Sequence, residues 1–540
     1  MKSNFCVNNF KKKCNIFIIT FLLFMPFTRA QFKNIRVDKP GTKDAEEVSI
    51  AINTAHPNYL AAGANISYVF NSSDSGLSWD QGNMQSNFGV WGDPCLLYDG
   101  LGNLYFVHLS HPPPTIGYWI DRIVVQKSTD NGLTWNSGAG IGYNPPKEQD
   151  KAWLGVDMSS QNYKNNLYLA WTQFDSYGSN SPQDSSVILF SRSTDQGIDW
   201  SNPVRVSDRA GDCLDSDSTD EGAVPCVGPN GEVYLSWAGP LGIMFDKSTD
   251  GGVTFGKDIF VASQPGGWDF NVSGIYRCNG LPVTACDTSH SIYRGNVYVL
   301  WSDQRNGETN TDVFLIRSTD GGNTWGETVK VNNDNSNTQQ FFPWMTIDQT
   351  TGFIYVIFYD RRNTTQAATD VYVAKSIDGG NSFQNYEVSD SSFTPDASIF
   401  FGDYTNIAAY NGKIYPIWMR MDVGSLSVWT APLTDSDFPT NVGSVNPIIN
   451  NFELLQNYPN PFNPSTNIKF DLRESGYVSL KIYDVLGRLI TTLVNDYMTE
   501  GAHEINFSAV KADYALPSGF YFYRLICNGY SETRKMILQK

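Results

Sequence analysis

Carboxylates, guanidinium groups and aromatic rings recur in this chain at two kinds of position, and together they suit a sugar. The first set is Glu46-Glu47, Asp93, Asp150-Lys151, Asp220-Glu221 and Asp403-Tyr404, each beside the start of an apolar run. The second is His108, Asp175, Asp303 with Arg305, Asp360 with Arg361 and Arg362, and Arg420 with Asp422. Each of these follows a Tyr- or Trp-bearing run. Trp91, Trp153, Trp268 and Phe401 stand close by. Charged groups of this kind hydrogen-bond to hydroxyls, and ring faces stack on the C–H faces of a pyranose. Asp93, Asp150, Arg305, Arg361, Asp403 and Arg420 are the candidates for direct contact. The blander alternative is that such groups pair with one another between repeats, Asp360 with Arg305 or Asp303 with Arg361.

These groups can converge only if the runs that carry them surround a common axis. Six copies of one turn supply that arrangement: Ser72–Trp79, Ser128–Trp135, Ser193–Trp200, Ser248–Phe255, Ser318–Trp325 and Ser376–Phe383. In each, an Asp can accept from the loop's own N–H groups, a Gly is free to take positive φ, and an aromatic closes the turn. Self-similarity at this period indicates a repeated small β unit. Seven units can be counted. Their first strands fall at 48–53, 94–99, 153–157, 223–227, 283–286, 344–348 and 407–410. The seventh lacks the turn, and its outermost strand is expected from residues 32–37, which would close the ring and remove a free sheet edge. Strands run alternately up and down, so the six turns fall on one rim and the polar sets on the other. The six aspartates are therefore read as structural. The expected fold is all-β: a propeller of seven blades, with six as the alternative count, followed by a small β-sandwich.

The 540 residues carry 14% aromatics, 46 glycines and only 17% charged residues, as a folded β protein does. A net charge of −17 disfavours nucleic acid or an anionic membrane surface as partner. Residues 1–30 read as a signal peptide, with Lys11-Lys12-Lys13 before the apolar stretch 16–27 and Ala30 at the cleavage site. That stretch is too short to span a bilayer, and no later run is long enough, so no transmembrane segment is expected in the mature protein. Export makes Cys213 with Cys226, and Cys278 with Cys286, candidate disulfides. No His stands at ligand spacing for zinc. The acidic loop Asp212–Asp217 lacks the Gly and terminal Glu of a known calcium motif. No cofactor is expected.

The repeated turn resembles the Asp box, or BNR repeat, of sialidase-like β-propellers, over about residues 31–435. In that family a tyrosine opens the inner strand of the last blade, and the segment from Asp403 to Gly412 is similar, with Tyr404 in the tyrosine's place. The segment from Glu221 to Gly231 looks like the one that carries the partner glutamate. The resemblance thus implies Tyr404 as nucleophile and Glu221 as its base; a phenol has a pKa near 10 and needs such a neighbour. The family's Phe/Tyr-Arg-Ile-Pro motif has no counterpart, since Glu46-Glu47 stand where its arginine belongs. Its substrate-clamping arginine triad is also incomplete. The reading favoured at this point is a glycoside hydrolase of sialidase-like fold acting on glycans; the alternative is a non-catalytic propeller that binds glycan or protein at the cell surface.

After Pro439 a linker, taken as 436–455, leads into Gln456–Thr466 and a series of short alternating strands closing on Arg534–Lys540. The order of these motifs resembles the type A C-terminal sorting domain of the type IX (Por) secretion system, over 456–540. This implies passage across an outer membrane, with the type IX machinery as partner and a secreted or outer-membrane-surface location.

Overall fold

Strands whose both faces are apolar must be covered on both sides, and here the covering is supplied by other copies of the same sheet. The computed structural model describes residues 32–422, 424–438 and 452–540, apart from 473, 474, 486, 487, 512, 513, 528 and 529. The expected signal peptide and residues 439–451 of the expected linker lie outside the described residues. The chain divides into two compact units, Met1–Pro439 and Thr440–Lys540.

The first unit is a ring of seven antiparallel blades. Blade 3 is typical, with strands Glu148–Val156, Leu167–Phe174, Ser186–Ser193 and Val204–Arg205 in that order from the axis outward. The other inner strands are Ser49–Ile52, Cys95–Tyr98, Glu221–Val227, Val283–Cys286, Gln340–Asp348 and Asn406–Tyr410. Each inner strand packs against the next, and the seventh returns to the first. The second strands bear the repeated aromatic: Trp171, Trp237, Trp301 and Trp418 occupy equivalent places and are fully buried between blades. Ring closure is as the sequence suggests. Ile35–Arg36 pairs with Trp429 and Thr430 as the outermost strand of blade 7.

All six repeated turns join third to fourth strands, so they share one rim. Asp320 shows how the turn is built. Its Oδ1 accepts from Ser318 Oγ (2.7 Å) and from the N–H groups of Asn323 and Thr324, while Thr324 Oγ1 donates to Oδ2 at 2.6 Å. The Thr324 hydroxyl and amide, with Ser318, hold this carboxyl down at about 2. Gly322 adopts φ +80°, and a Cβ there would meet the Phe245 ring of the preceding blade at 2.3 Å. The turn therefore pins each blade to its neighbour, and none of Asp74, Asp130 or Asp195 lines the central cavity.

Neither expected disulfide forms. Cys213, Cys226, Cys278 and Cys286 are in no disulfide. Each proposed pair is split along the axis. Cys213 lies in a loop of the opposite rim, its carbonyl accepting the Gly178 N–H. Cys226 lies five residues down the inner strand from Glu221, roughly 16 Å at strand rise. Cys278 belongs to a two-stranded insert, Asp269–Phe270 with Cys278–Asn279, whereas Cys286 ends the inner strand of blade 5. Thiol titration of denatured residues 32–540 should therefore count six thiols; a count of two or four would restore a bridge.

The second unit is a sandwich of a three-stranded sheet (Phe452–Leu454, Ser465–Leu472, Gly501–Ser508) and a four-stranded one (Leu489–Met498, Gly476–Tyr483, Gly519–Cys527, Tyr530–Leu538). Alternate residues such as Ile468, Phe470, Val478, Leu480, Tyr523 and Met536 form its core, as period-two burial requires.

Candidate functional site

Where the inner strands begin, on the rim opposite the turns, the backbone repeats a left-handed residue. Glu47 (φ 55°), Asp93 (φ 51°), Lys151 (φ 48°) and Phe342 (φ 49°) adopt it, as do Gly222 and Gly402. A non-glycine residue is strained in this region. Bulges follow in blades 3, 4 and 6, at Asp150/Trp153, Glu221/Val224 and Phe341/Trp344. An extra residue re-aims the side chains beside it. In blades 1 to 3 the left-handed residue is itself charged, and it stands at the ring axis.

Lys151 is the hub. Its ammonium lies 2.6 Å from Asp403, and 3.6 Å from both Glu47 and Asp93. Those partners come from blades 7, 1 and 2, so the contact crosses the axis. Burial works against the charged form of Lys151, but Asp403, Asp93 and Glu47 outweigh it and hold the proton. Asp403 is doubly neutralised, since Arg277 of the insert donates Nε to its Oδ1 at 2.9 Å and Nη2 to its Oδ2. Despite its burial, Lys151 and Arg277 keep the Asp403 carboxyl well below its ordinary range. Arg277 also donates Nη1 to Asp215 at 3.0 Å.

The remaining carboxyls outnumber the cations and respond by keeping protons. Burial, then Asp93, pushes Asp150 up to about 8. Burial, then Asp44, does the same to Glu46. Glu221 is fully buried and is raised well above the carboxylate range by burial and by Asp215 and Asp150. Neither of its oxygens makes a hydrogen bond of normal geometry, although Asp215 lies alongside. Among the described residues no group of three or more His, Cys, Asp or Glu is arranged to hold a metal ion. Asp215 and Asp217 of the acidic loop are instead taken up by Tyr177, Arg277 and the Asp269 N–H.

The raised groups have a consequence for stability. Between about pH 4.5 and 8 the folded chain keeps a proton on Glu46 that the unfolded chain has lost. Folding stability therefore falls as pH rises through that window. Glu46→Gln should make the decline shallower in urea titrations at stepped pH; an unchanged slope would mean that Glu46 is ionised in the folded protein.

Beneath the charges the channel is shut. Trp153 of blade 3 meets Trp344 of the opposing blade 6 at 4.3 Å between centroids, and Tyr404 of blade 7 closes on both at 5.1 and 6.0 Å. The cavity beside Lys151, Trp153 and Tyr404 holds 20 Å³, room for one water and far less than a sugar ring. Below the plug a 350 Å³ cavity, lined by the far ends of all seven inner strands, faces the rim of the turns.

The sequence-derived residues therefore separate into two groups. Asp93, Asp150, Asp403, Tyr404 and Glu221 do converge on the axis, but as a buried network. No hydrogen bond or ion pair joins Tyr404 to Glu221. Burial, then Asp93 and Glu47, raise the Tyr404 phenol well above its ordinary value, against the opposing pull of the Lys151 ammonium. Blades 7 and 4 face each other across a seven-membered ring, and the Lys151 and Arg277 side chains occupy the region between them. Arg305 and Arg361 stay with their own blades, while Arg420 also reaches across to the segment after the outer strand of blade 6. Arg305 pairs with Asp303 at 2.6 Å and Arg420 with Asp390 and Asp422. Asp360 pairs with Arg362, so the expected interblade pairs do not form. Arg361 is buried without a carboxylate; it donates Nε to Thr369, and burial pulls it down to about 10.

The accessible surface lies above. Trp91 (38% exposed) meets the edge of Trp119 (37% exposed) at 6.3 Å, and Trp119 meets Tyr177 at 5.6 Å. Tyr177 donates its hydroxyl to Asp215 at 2.7 Å. Arg277 bridges from Asp215 to lie 5.3 Å over Phe400, which meets Tyr276 (60% exposed) at 6.0 Å. The result is one aromatic ridge across the mouth. Of the aromatics expected to stack on sugar, only Trp91 belongs to it; Trp153, Trp268 and Phe401 are buried. Phe400 was missed by one position. The signal for Trp119, Tyr177 and Tyr276 was an aromatic within a polar mouth loop, outside any strand pattern.

Residues 456–539 match the secretion system C-terminal sorting domain. A type IX sorting domain at the C-terminus makes this a protein that is secreted or held at the outer-membrane surface. No helix among the described residues is long and apolar enough to cross a membrane. No curated protein matches the chain. Among solved structures it is similar to a Hadza microbial sialidase (14% identity, 69% of this chain and 73% of that one, TM-score 0.41). It is also similar to a Penicillium chrysogenum α-L-arabinanase complexed with arabinobiose (14%, 63% and 92%, TM-score 0.40) and to a Trypanosoma rangeli sialidase (11%, 85% and 85%, TM-score 0.38). The seven-bladed ring stands on the strand pairing itself.

Proposed function

We propose that this is a non-catalytic glycan-binding propeller, exported by the type IX route, that engages its ligand along the aromatic ridge from Trp91 to Tyr276. One observation carries the reading: exposed rings span the mouth, while the carboxyl chamber beneath them has space for a single water. A pyranose stacked on Trp119 would find the Tyr177 hydroxyl and the Asp215 carboxylate at its edge, which is the mixture of apolar face and few polar groups that small-ligand sites use. Glycoside hydrolysis is the competing reading.

Retardation of the purified protein in gels cast with soluble polysaccharides tests this. Binding to at least one glycan is expected, weakened roughly tenfold or more in Trp119→Ala, because truncating a central aromatic contact removes about 2 kcal/mol or more. Turnover of an aryl glycoside that disappears in Tyr404→Phe would overturn the binding reading in favour of the hydrolase.

A further inference from the structure

The charges around the ridge point to the class of glycan. A site for uronic acids, sialic acids or sulfated sugars needs a cation that is free to face the ligand, usually a guanidinium fork. The cations beside the ridge are already engaged by the chain, and Arg361, which has no carboxylate, is buried. Arg277 is the most central, and all three of its nitrogens donate to Asp403 or Asp215. Arg305 is held by Asp303, Arg420 by Asp390 and Asp422, and Lys147 by Asp175 at 2.6 Å. Lys151 is buried beneath them. The carboxyls of Asp215 and Asp217 stand at the ridge beside Arg277, in a chain of net charge −17. An incoming anion would meet like charge at close range, which costs several kcal/mol in an interface.

We infer that the ridge takes a neutral glycan, one built of hexoses or N-acetylhexosamines without carboxylate or sulfate. This rests on the glycan-binding reading above and narrows it. Stacking supplies the attraction, and the acidic surround supplies the discrimination. Asp215 contributes directly, because it occupies the face of Arg277 that an anionic sugar would otherwise claim.

The test is titration calorimetry of the full exported chain, at low ionic strength, against two sets of ligands. One set is neutral polysaccharides (a mannan, a xyloglucan, a β-glucan); the other is acidic (polygalacturonate, a sialylated glycan, a sulfated galactan). At least one neutral ligand should bind about tenfold or more tightly than every acidic one. Asp215→Asn should raise affinity for polygalacturonate at least threefold by releasing one face of Arg277. Acidic ligands that bind as well as neutral ones would overturn the inference and leave glycan binding standing. Binding to neither set would overturn both.

Discussion

Lys151→Met is expected to destabilise the propeller by about 3–5 kcal/mol at pH 7, the cost of removing one partner from a buried ionic cluster. The side chains are similar in length, so little packing is lost and the effect isolates the charge. Three carboxyls face the missing ammonium, and only Asp403 retains another cation, in Arg277. Glu47 and Asp93 would be left without a cation in a space that admits almost no water. Burial and Asp93 already raise the Glu47 carboxyl while Lys151 lowers it, so without the ammonium a proton is held there more readily and the deficit should shrink as pH falls from 7 to 5. Urea midpoints of both proteins at the two pH values measure this. A loss below 1 kcal/mol at pH 7, or one that grows on acidification, would mean that Lys151 is not what neutralises the chamber.

Trp153→Ala should be of similar size, about 3–5 kcal/mol, as for other buried tryptophan truncations. The ring is 7% exposed and touches both Trp344 and Tyr404. Those partners belong to adjacent blades across the axis from blade 3, so collapse cannot fill the hole without moving whole blades. The substitution would also connect the carboxyl chamber to the 350 Å³ cavity below. Water admitted by that route would let the protonated carboxyls ionise, and the pH dependence of stability between 4.5 and 8 should flatten along with the drop in midpoint. Trp153→Phe, which keeps an aromatic in the plug, should recover much of the loss. A fully stable alanine variant would show that the plug is ornamental to the fold.

The architecture was legible because it depends on local pattern repeated at even intervals. The inner strand predicted at 283–286 is the one observed, and that at 407–410 differs by one residue. Where the prediction fell short, it did so at the mouth. Inner strands 3 and 6 begin at Glu148 and Gln340, before the apolar runs, because bulges let polar residues continue the ladder to the axis. The site was less legible for a geometric reason. Lys151 and Asp403 are 252 residues apart and meet only because their blades face a common axis. Residue type suggested a polar mouth, and nothing local distinguished a guanidinium aimed at ligand from one folded back on the aspartate two residues before it, as Arg305 is. The pairing of Tyr404 with Glu221, drawn from a resemblance alone, meets here a ring of seven blades in which those strands stand opposite each other.

The clasp of blade 7 also fixes the order in which this molecule can mature. Asp38 accepts the Val428 N–H, a contact between residues 390 apart. Closing a loop of that length costs about 5 kcal/mol in chain entropy before any contact is made. The strand Ile35–Arg36 must wait for nearly the last of the propeller before it finds its place. Until then the ring is an open arc whose terminal sheet has an unpaired edge, the kind that invites pairing with another chain. Proteolytic trimming that cut beyond residue 38 would return the finished propeller to that arc, so the short segment from Ile35 to Asp38 is a condition of its closure.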